Sequence, residues 1–403
     1  MQNQKRSQFE FVVLMAALMS IVALTIDAVL PALPLIGDYL SVNDTADNPK
    51  LITSIFLGLG FGQLVFGPLS DSFGRKPIVY AGFILFVIAS IICITTKNFE
   101  MMLLGRVLQG AGLAAPRTMS IAMIRDSYDG DYMAKIISIV VMVFILVPVI
   151  APSLGQFLMN QYNWKFIFTF TLVFGILVMI WFWLRQPETL KDKYRIPYRL
   201  SIFKTGTIQF FKIKSAVIYT LLSGFITGSF MVYLSTSQQI FEKQYGLAEE
   251  FPLIFASLAI SVGLATFMNS QLVVKYGMKR IVHLSMVSFI LISIVFIVLF
   301  YSKNNPTIEV LITFFALQFF TIGFLFGNLR ALAMQPMGHI AGIGSALNGF
   351  ISTVMAVPIA NYIGGFVVDS VTPLFIGFMI CGLISLTLFY TTYNPFLKKS
   401  NID

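Results

Sequence analysis

Charge is scarce in this chain. Of 403 residues, 11% are charged and 57% are hydrophobic. A soluble domain typically carries about 25% charged residues. So small a charged fraction cannot wet a surface, and the bulk of the chain must face hydrocarbon. Cysteine and histidine are scarcer still. Cys93 and Cys381 both fall inside apolar runs, which argues against a disulfide framework or a zinc site. His283 and His339 have no ligand-like company, so no metal is expected. There is no P-loop, and so no sign of ATP drive. No Ser–His–Asp set or Gly-rich dinucleotide turn is apparent, so neither a catalytic residue nor a cofactor is expected. The formal charge of +9 would suit a nucleic-acid binder. However, no basic cluster sits on a polar segment large enough to dock one. No cleavable signal peptide is expected, because the first apolar stretch is long, lacks a small-residue cleavage site and leads into further apolar runs.

Those runs are the dominant feature. Bilayer-length stretches read at 10–33, 51–70, 78–96, 101–124, 136–159 and 164–185, and then at 214–236, 251–274, 281–301, 308–332, 342–368 and 373–392. In lipid such runs must be helices, since only a helix or a closed barrel satisfies every backbone group there. The expected fold is an all-α membrane protein of twelve transmembrane helices in two pseudo-symmetric six-helix bundles, residues 1–185 and 214–403. Residues 186–213, opening with Gln186-Pro187-Glu188 and rich in Lys and Arg, read as a solvated cytoplasmic linker.

Two counts support this plan. With the N-terminus inside, the inside segments hold 19 Lys and Arg and the outside segments hold 5. The excess of basic residues on the cytoplasmic side puts both termini there. The inside set includes Lys5, Arg6, Lys135, Arg199, Lys398 and Lys399, and the outside set includes Lys303. In addition, Ser72-Phe73-Gly74-Arg75-Lys76 after span two is matched by Lys275-Tyr276-Gly277-Met278-Lys279-Arg280 after span eight. The offset from Gly74 to Gly277 is 203 residues, about the same that carries the start of span one to the start of span seven, as in parallel-repeat transporters.

The sharpest motif is Gly67-Pro68-Leu69-Ser70-Asp71-Ser72-Phe73-Gly74-Arg75-Lys76-Pro77. A helix ends, a glycine permits a tight turn, and two cations follow. Asp71 can pair with nearby cations and latch helices in one conformational state. The stretch resembles the signature loop between helices two and three of the major facilitator superfamily, in the form of the drug–proton antiporter branch called Bcr/CflA, after bicyclomycin resistance. Ser72 stands where that pattern has a basic residue. Five further segments resemble the same branch: Ile26–Pro34 in span one, Arg106-Val107-Leu108-Gln109-Gly110 in span four, Arg125-Asp126 closing span four, Ala151-Pro152-Ser153-Leu154-Gly155 in span five, and Ala341–Leu347 opening span eleven. The resemblance covers the whole chain. It implies a conformational latch at Asp71, Gly74, Arg75, Arg125 and Asp126, and a bacterial inner-membrane location.

Asp27 lies well inside span one. A carboxylate at membrane depth costs roughly 2.5–3.5 kcal/mol on insertion scales. Burial favours its neutral form, as a proton carrier requires, and a structural pairing with a neighbouring helix is the alternative. Arg106 is expected at a similar depth, with Arg117 three turns away on the same face of span four. Asp27, Arg106, Gln109 and Arg117 are therefore candidates to line a cavity, with Asp27 and Arg106 coupling protons. Each arginine could instead make a helix-packing ion pair. Pro148 and Pro152 bend span five, and with Gly155 they suggest a closely packed helix that seals the cavity against proton leak. Gln63, Asn269, Gln318, Asn328, Asn348 and Asn361 are polar groups on apolar spans, some expected in the pathway and others bridging helices.

The resulting expectation is a monomeric secondary transporter that exports small, partly apolar molecules in exchange for protons. Its partners are then the substrate, protons and lipid, with no nucleic acid. The alternatives are a dedicated exporter of one endogenous metabolite, such as a siderophore or amino acid derivative, and a proton-coupled uptake symporter.

Overall fold

Hydrocarbon leaves backbone amides no water to bond, and helices dominate the fold accordingly. The computed structural model describes residues 7–42, 44, 47–128, 130–195, 200–301 and 305–392. Lys5, Arg6, Arg199, Lys303, Lys398 and Lys399, counted above for orientation, lie outside the described residues, as do the side chains of Lys135, His339 and Ala341.

The helices are α1 Gln8–Asp27, α2 Leu33–Tyr39, α3 Lys50–Phe73, α4 Arg75–Thr95, α5 Phe99–Ser127, α6 Gly130–Gln161, α7 Trp164–Arg185, α8 Leu200–Lys212, α9 Lys214–Gln238, α10 Phe251–Tyr276, α11 Met278–Phe300, α12 Ile308–Met334, α13 Ala341–Gly364 and α14 Thr372–Tyr390. No strand occurs among the described residues. Ten helical stretches among the described residues are long and apolar enough to cross a membrane. The long helix α5 falls outside that set because Arg106, Gln109, Arg117 and several small residues occupy its middle.

The chain divides into two compact units, residues 1–203 with 241–256 and residues 204–240 with 257–403. In the first, α5 packs against α3 and α4, and α1 against α5, α6 and α7. The α3–α5 contact is backbone to backbone. A Cβ at Gly58 would overlap the Val107 carbonyl, and one at Gly110 would overlap the Ile55 carbonyl. In the second unit α9 packs against α12, α13 and α14, and α11 against α12 and α14.

Three differences from the sequence reading bear on the site. Span one is not one continuous helix. The α-helical ladder stops at Asp27, a 3-10 turn covers Leu30–Ala32, and α2 follows. Pro31 and Pro34 supply no amide to the ladder, which is why it breaks here. Span seven ends in a π-helix, Gln239–Gln244. The stretch 186–213 is not simply a solvated loop. Gln186 and Leu190 are buried, and residues 200–212 form α8, whose Phe210 is fully buried. A Cβ at Gly206 would sit 2.5 Å from Ile343 of α13. Lys204 and Lys212 make this segment look hydrophilic and mask its apolar face.

Candidate functional site

The turn between α3 and α4 is a single residue. Gly74 caps both helices with φ 101° and ψ 159°, a conformation essentially closed to residues with a Cβ. The same one-residue turn recurs at Gly277 between α10 and α11, with φ 77° and ψ 148°. Around Gly74 the side chains form a closed charged cluster. Arg75 pairs through NH1 with Asp71 and, at 3.0 Å, through Nε with Asp126 Oδ2. Its NH1 also donates to Ser70 Oγ at 2.7 Å. Thr189 Oγ1 donates to the same Asp126 Oδ2 at 3.0 Å. Of the residues expected in the latch, Asp71, Gly74, Arg75 and Asp126 come together. Arg125 is exposed, and among the described residues no carboxylate lies within ion-pair distance of it.

A residue that the sequence reading left in the solvated linker completes the cluster. Glu188 accepts the Arg75 amide on Oε1 at 3.1 Å and the Lys76 amide on Oε2 at 3.0 Å, so its carboxylate caps the N-terminus of α4. It also accepts the amides of Thr189 and Leu190, both at 2.9 Å. An anion at a helix N-terminus is stabilised by the unpaired amides and the helix dipole. Gly74 leaves room for this cap, since a Cβ there would lie 2.6 Å from Glu188 Oε2. Gly277 has no such neighbour within 4 Å. One turn before Glu188, Arg185 pairs through Nε and NH2 with the two carboxylate oxygens of Glu10. The end of α7 and the start of the linker thereby join α1, α4 and α5.

Deeper in the same unit, Asp27 is the last residue of α1 and is 4% exposed. Among the described residues no group donates a hydrogen bond to its carboxyl. On its chain neighbour Ala28, the backbone of α6 presses so closely that a Cβ at Gly155 would overlap the Ala28 carbonyl oxygen. Glycine at 155 is thus required for α6 to reach the break beside Asp27. Pro148 and Pro152 lie within α6, which continues through both.

Arg106 is fully buried. Nε donates to the Leu51 carbonyl at 3.0 Å, and NH1 donates to the Thr25 carbonyl and to Gln109 Oε1, both at 3.1 Å. The Gln109 amide in turn donates to Ser90 Oγ at 2.9 Å. Arg106 therefore sits level with the end of α1 and takes a carbonyl that the helix break leaves free. Its partners are all neutral. Among the described residues no carboxylate pairs with it, and NH2 is buried without an acceptor. Hydrogen bonds tie this guanidinium to α1 and α3 directly and to α4 through Gln109, and the Phe168 ring of α7 lies 5.7 Å from it.

The Major Facilitator Superfamily pattern matches residues 14–360. The chain belongs to the Major Facilitator Superfamily. This transporter is 26% identical to the "Bicyclomycin resistance protein homolog" of Haemophilus influenzae, over 98% of the chain and 99% of that protein. It is 27% identical to the "Multidrug resistance protein MdtL" of Shewanella oneidensis, over 90% of each. The resemblance to the bicyclomycin-resistance branch, read from the motifs, agrees with these relatives. A solved D-xylose–proton symporter superposes with a TM-score of 0.74 at 14% identity, covering 94% of this chain and 97% of that one, which speaks for the fold alone. The transporter is a multi-pass membrane protein.

The remaining candidates divide. Arg117 is half-buried on α5. Several polar span residues of the second unit bridge helices. Asn328 donates to Asn269 at 2.7 Å, Asn348 to Thr220 Oγ1 at 2.8 Å, and Gln318 to Ser293 Oγ at 2.9 Å. The last pair repeats Gln109–Ser90, but Phe315 stands three residues before Gln318 where Arg106 stands before Gln109. The repeat is thus retained while its charge is not. Among the described residues no cluster of three or more metal-ligating side chains occurs.

Proposed function

We propose that this transporter exports small, partly apolar molecules in exchange for protons, by alternating access of two six-helix halves with twelve spans. Both termini are then cytoplasmic, and the membrane is the bacterial inner membrane. The observation that carries the proposal is Asp27, a buried carboxyl at the break of the first span with no hydrogen-bond donor among the described residues.

Charge on a buried, unpartnered carboxyl is costly, so the acid holds a proton when closed off and releases it when water or a cationic partner reaches it. Arg106 donates to the carbonyl of Thr25, two residues before Asp27, and has one unfilled NH2, so it would supply that cationic partner once the proton has left. Gly155 holds α6 against this break, which supports a role in excluding water there. The resistance names of the relatives support export of drug-like molecules. The Asp71–Arg75–Asp126–Glu188 cluster holds the ends of α3, α4, α5 and α7 in one arrangement, and its opening would accompany the switch of access.

The test is efflux from cells lacking their own pumps. Proton-dependent efflux is expected to vanish in Asp27→Asn while the protein still reaches the membrane. Normal gradient-driven efflux in that variant would overturn the proposal. The unfilled donor of Arg106 favours one second reading, a dedicated exporter of an anionic metabolite. In that case no resistance appears across a drug panel, and deletion abolishes secretion of one acidic compound.

A further inference from the structure

Five consecutive polar residues run from the last turn of α9 into the π-helix, Ser235-Thr236-Ser237-Gln238-Gln239, and all five are buried. Five residues cover more than a full helical turn, so the polarity faces every side of the helix at one depth. Such a collar in an apolar span is expensive unless each group is bonded. The three hydroxyls bond locally. Ser235 and Thr236 donate to the Val232 carbonyl at 3.1 and 2.7 Å, and Ser237 donates to the Leu234 carbonyl at 3.2 Å. Their oxygens keep the capacity to accept. Gln239 differs from the rest. It is 5% exposed, and among the described residues no group bonds to either Oε1 or Nε2. It also opens the π-helix Gln239–Gln244, a wide turn of the kind that recurs at functional sites.

We propose that Gln239 and the hydroxyls beside it form a binding site for the polar group of a neutral substrate, an amide or a hydroxyl-bearing amphiphile. This deepens the export function proposed above and rests on it. The chemistry points to a neutral ligand for two reasons. The collar contains no charged residue. The free groups of Gln239 are one acceptor and one amide donor on the same side chain, which complement an amide or a carbonyl–hydroxyl pair and leave an ionic charge uncompensated. Further back on α9, Phe230 and Tyr233 pack on Phe319 of α12 at ring-centroid distances of 5.6 and 4.5 Å. Phe230 is also the position 203 residues after Asp27. At the repeat-equivalent point, the second unit thus presents an aromatic side chain where the first presents an acid.

The test pairs stability with ligand response in the purified full-length transporter. Removing a buried amide that no protein group satisfies is neutral or stabilising for the fold, so Gln239→Met should unfold at the same temperature as the unchanged protein or a higher one. Chloramphenicol (a neutral amide), ethidium (a cation) and benzoate (an anion) are the probes. Chloramphenicol is expected to raise the midpoint of the unchanged protein, and Gln239→Met to lose at least tenfold in its apparent affinity. Three results would overturn the proposal: no response of the unchanged protein to chloramphenicol, an undiminished response in Gln239→Met, or a Gln239→Met midpoint lowered by several degrees. Failure of the export proposal is distinguishable, because loss of proton dependence in transport leaves these binding responses untouched.

Discussion

Gly74 and Gly277 offer a matched pair of perturbations. Each is the single residue between two helices, and each holds a backbone conformation essentially restricted to glycine. Alanine at either position meets strain of about 1–3 kcal/mol. At Gly277 nothing lies within 4 Å of the added methyl group, so strain is the whole effect. At Gly74 the methyl lands 2.6 Å from Glu188 Oε2 and must displace the carboxylate from the start of α4. Losing an N-cap costs about 0.5–2 kcal/mol, and losing an anion at the helix dipole costs about 0.3–1 kcal/mol more. Gly74→Ala should therefore exceed Gly277→Ala by about 1–3 kcal/mol. In a Glu188→Ala background the cap is already gone, and the cost of Gly74→Ala should fall to that of Gly277→Ala. Thermal or denaturant unfolding in one detergent measures the unchanged protein and all four variants. Equal costs for the two glycines, or an undiminished Gly74→Ala cost without Glu188, would refute the assigned role of Glu188.

Three other outcomes follow from the geometry. Gly155→Ala drives a methyl into the Ala28 carbonyl, so export should be lost and unfolding should come about 1–3 kcal/mol earlier. Gly327→Ala in α12 meets nothing within 4 Å and should be neutral or stabilising by up to about 1 kcal/mol, measured in the same unfolding assay. Arg106→Leu strands the Leu51 and Thr25 carbonyls and Gln109 Oε1, at about 1–3 kcal/mol per buried group. Its yield of folded protein should drop sharply on size-exclusion chromatography, whereas Arg117→Leu, on a half-buried residue, should lose less.

What was legible in the sequence depended on whether the signal was local. Gly74 and Gly277 announced themselves through neighbouring cations and a constant offset, and both prove to be the same positive-φ turn. Asp27 was visible because one acid in an apolar run has no camouflage. Its place at a helix break was also written locally, in Pro31 and Pro34, yet the apolar run read straight through them. Glu188 was not legible. It caps an amide 113 residues away, and its own surroundings look like a charged linker. Gln239 was missed for the opposite reason, because a polar cluster at the end of an apolar run reads as the exit from the membrane when it is in fact buried. For Arg106, the four-helix network of neutral acceptors arises from close approach of α3 and α5 at Gly58 and Gly110, which no spacing rule reveals.

Proton exchange through Asp27 comes down to one comparison. A panel of antibiotics and dyes in a pump-deficient host first identifies a compound the transporter removes. Efflux of that compound from inverted or right-side-out vesicles is then measured under an imposed pH gradient, for the unchanged protein and for Asp27→Asn at equal membrane abundance. Gradient-driven efflux in the unchanged protein and none in Asp27→Asn is the expected result. Equal gradient-driven efflux from both proteins would contradict proton coupling at this residue.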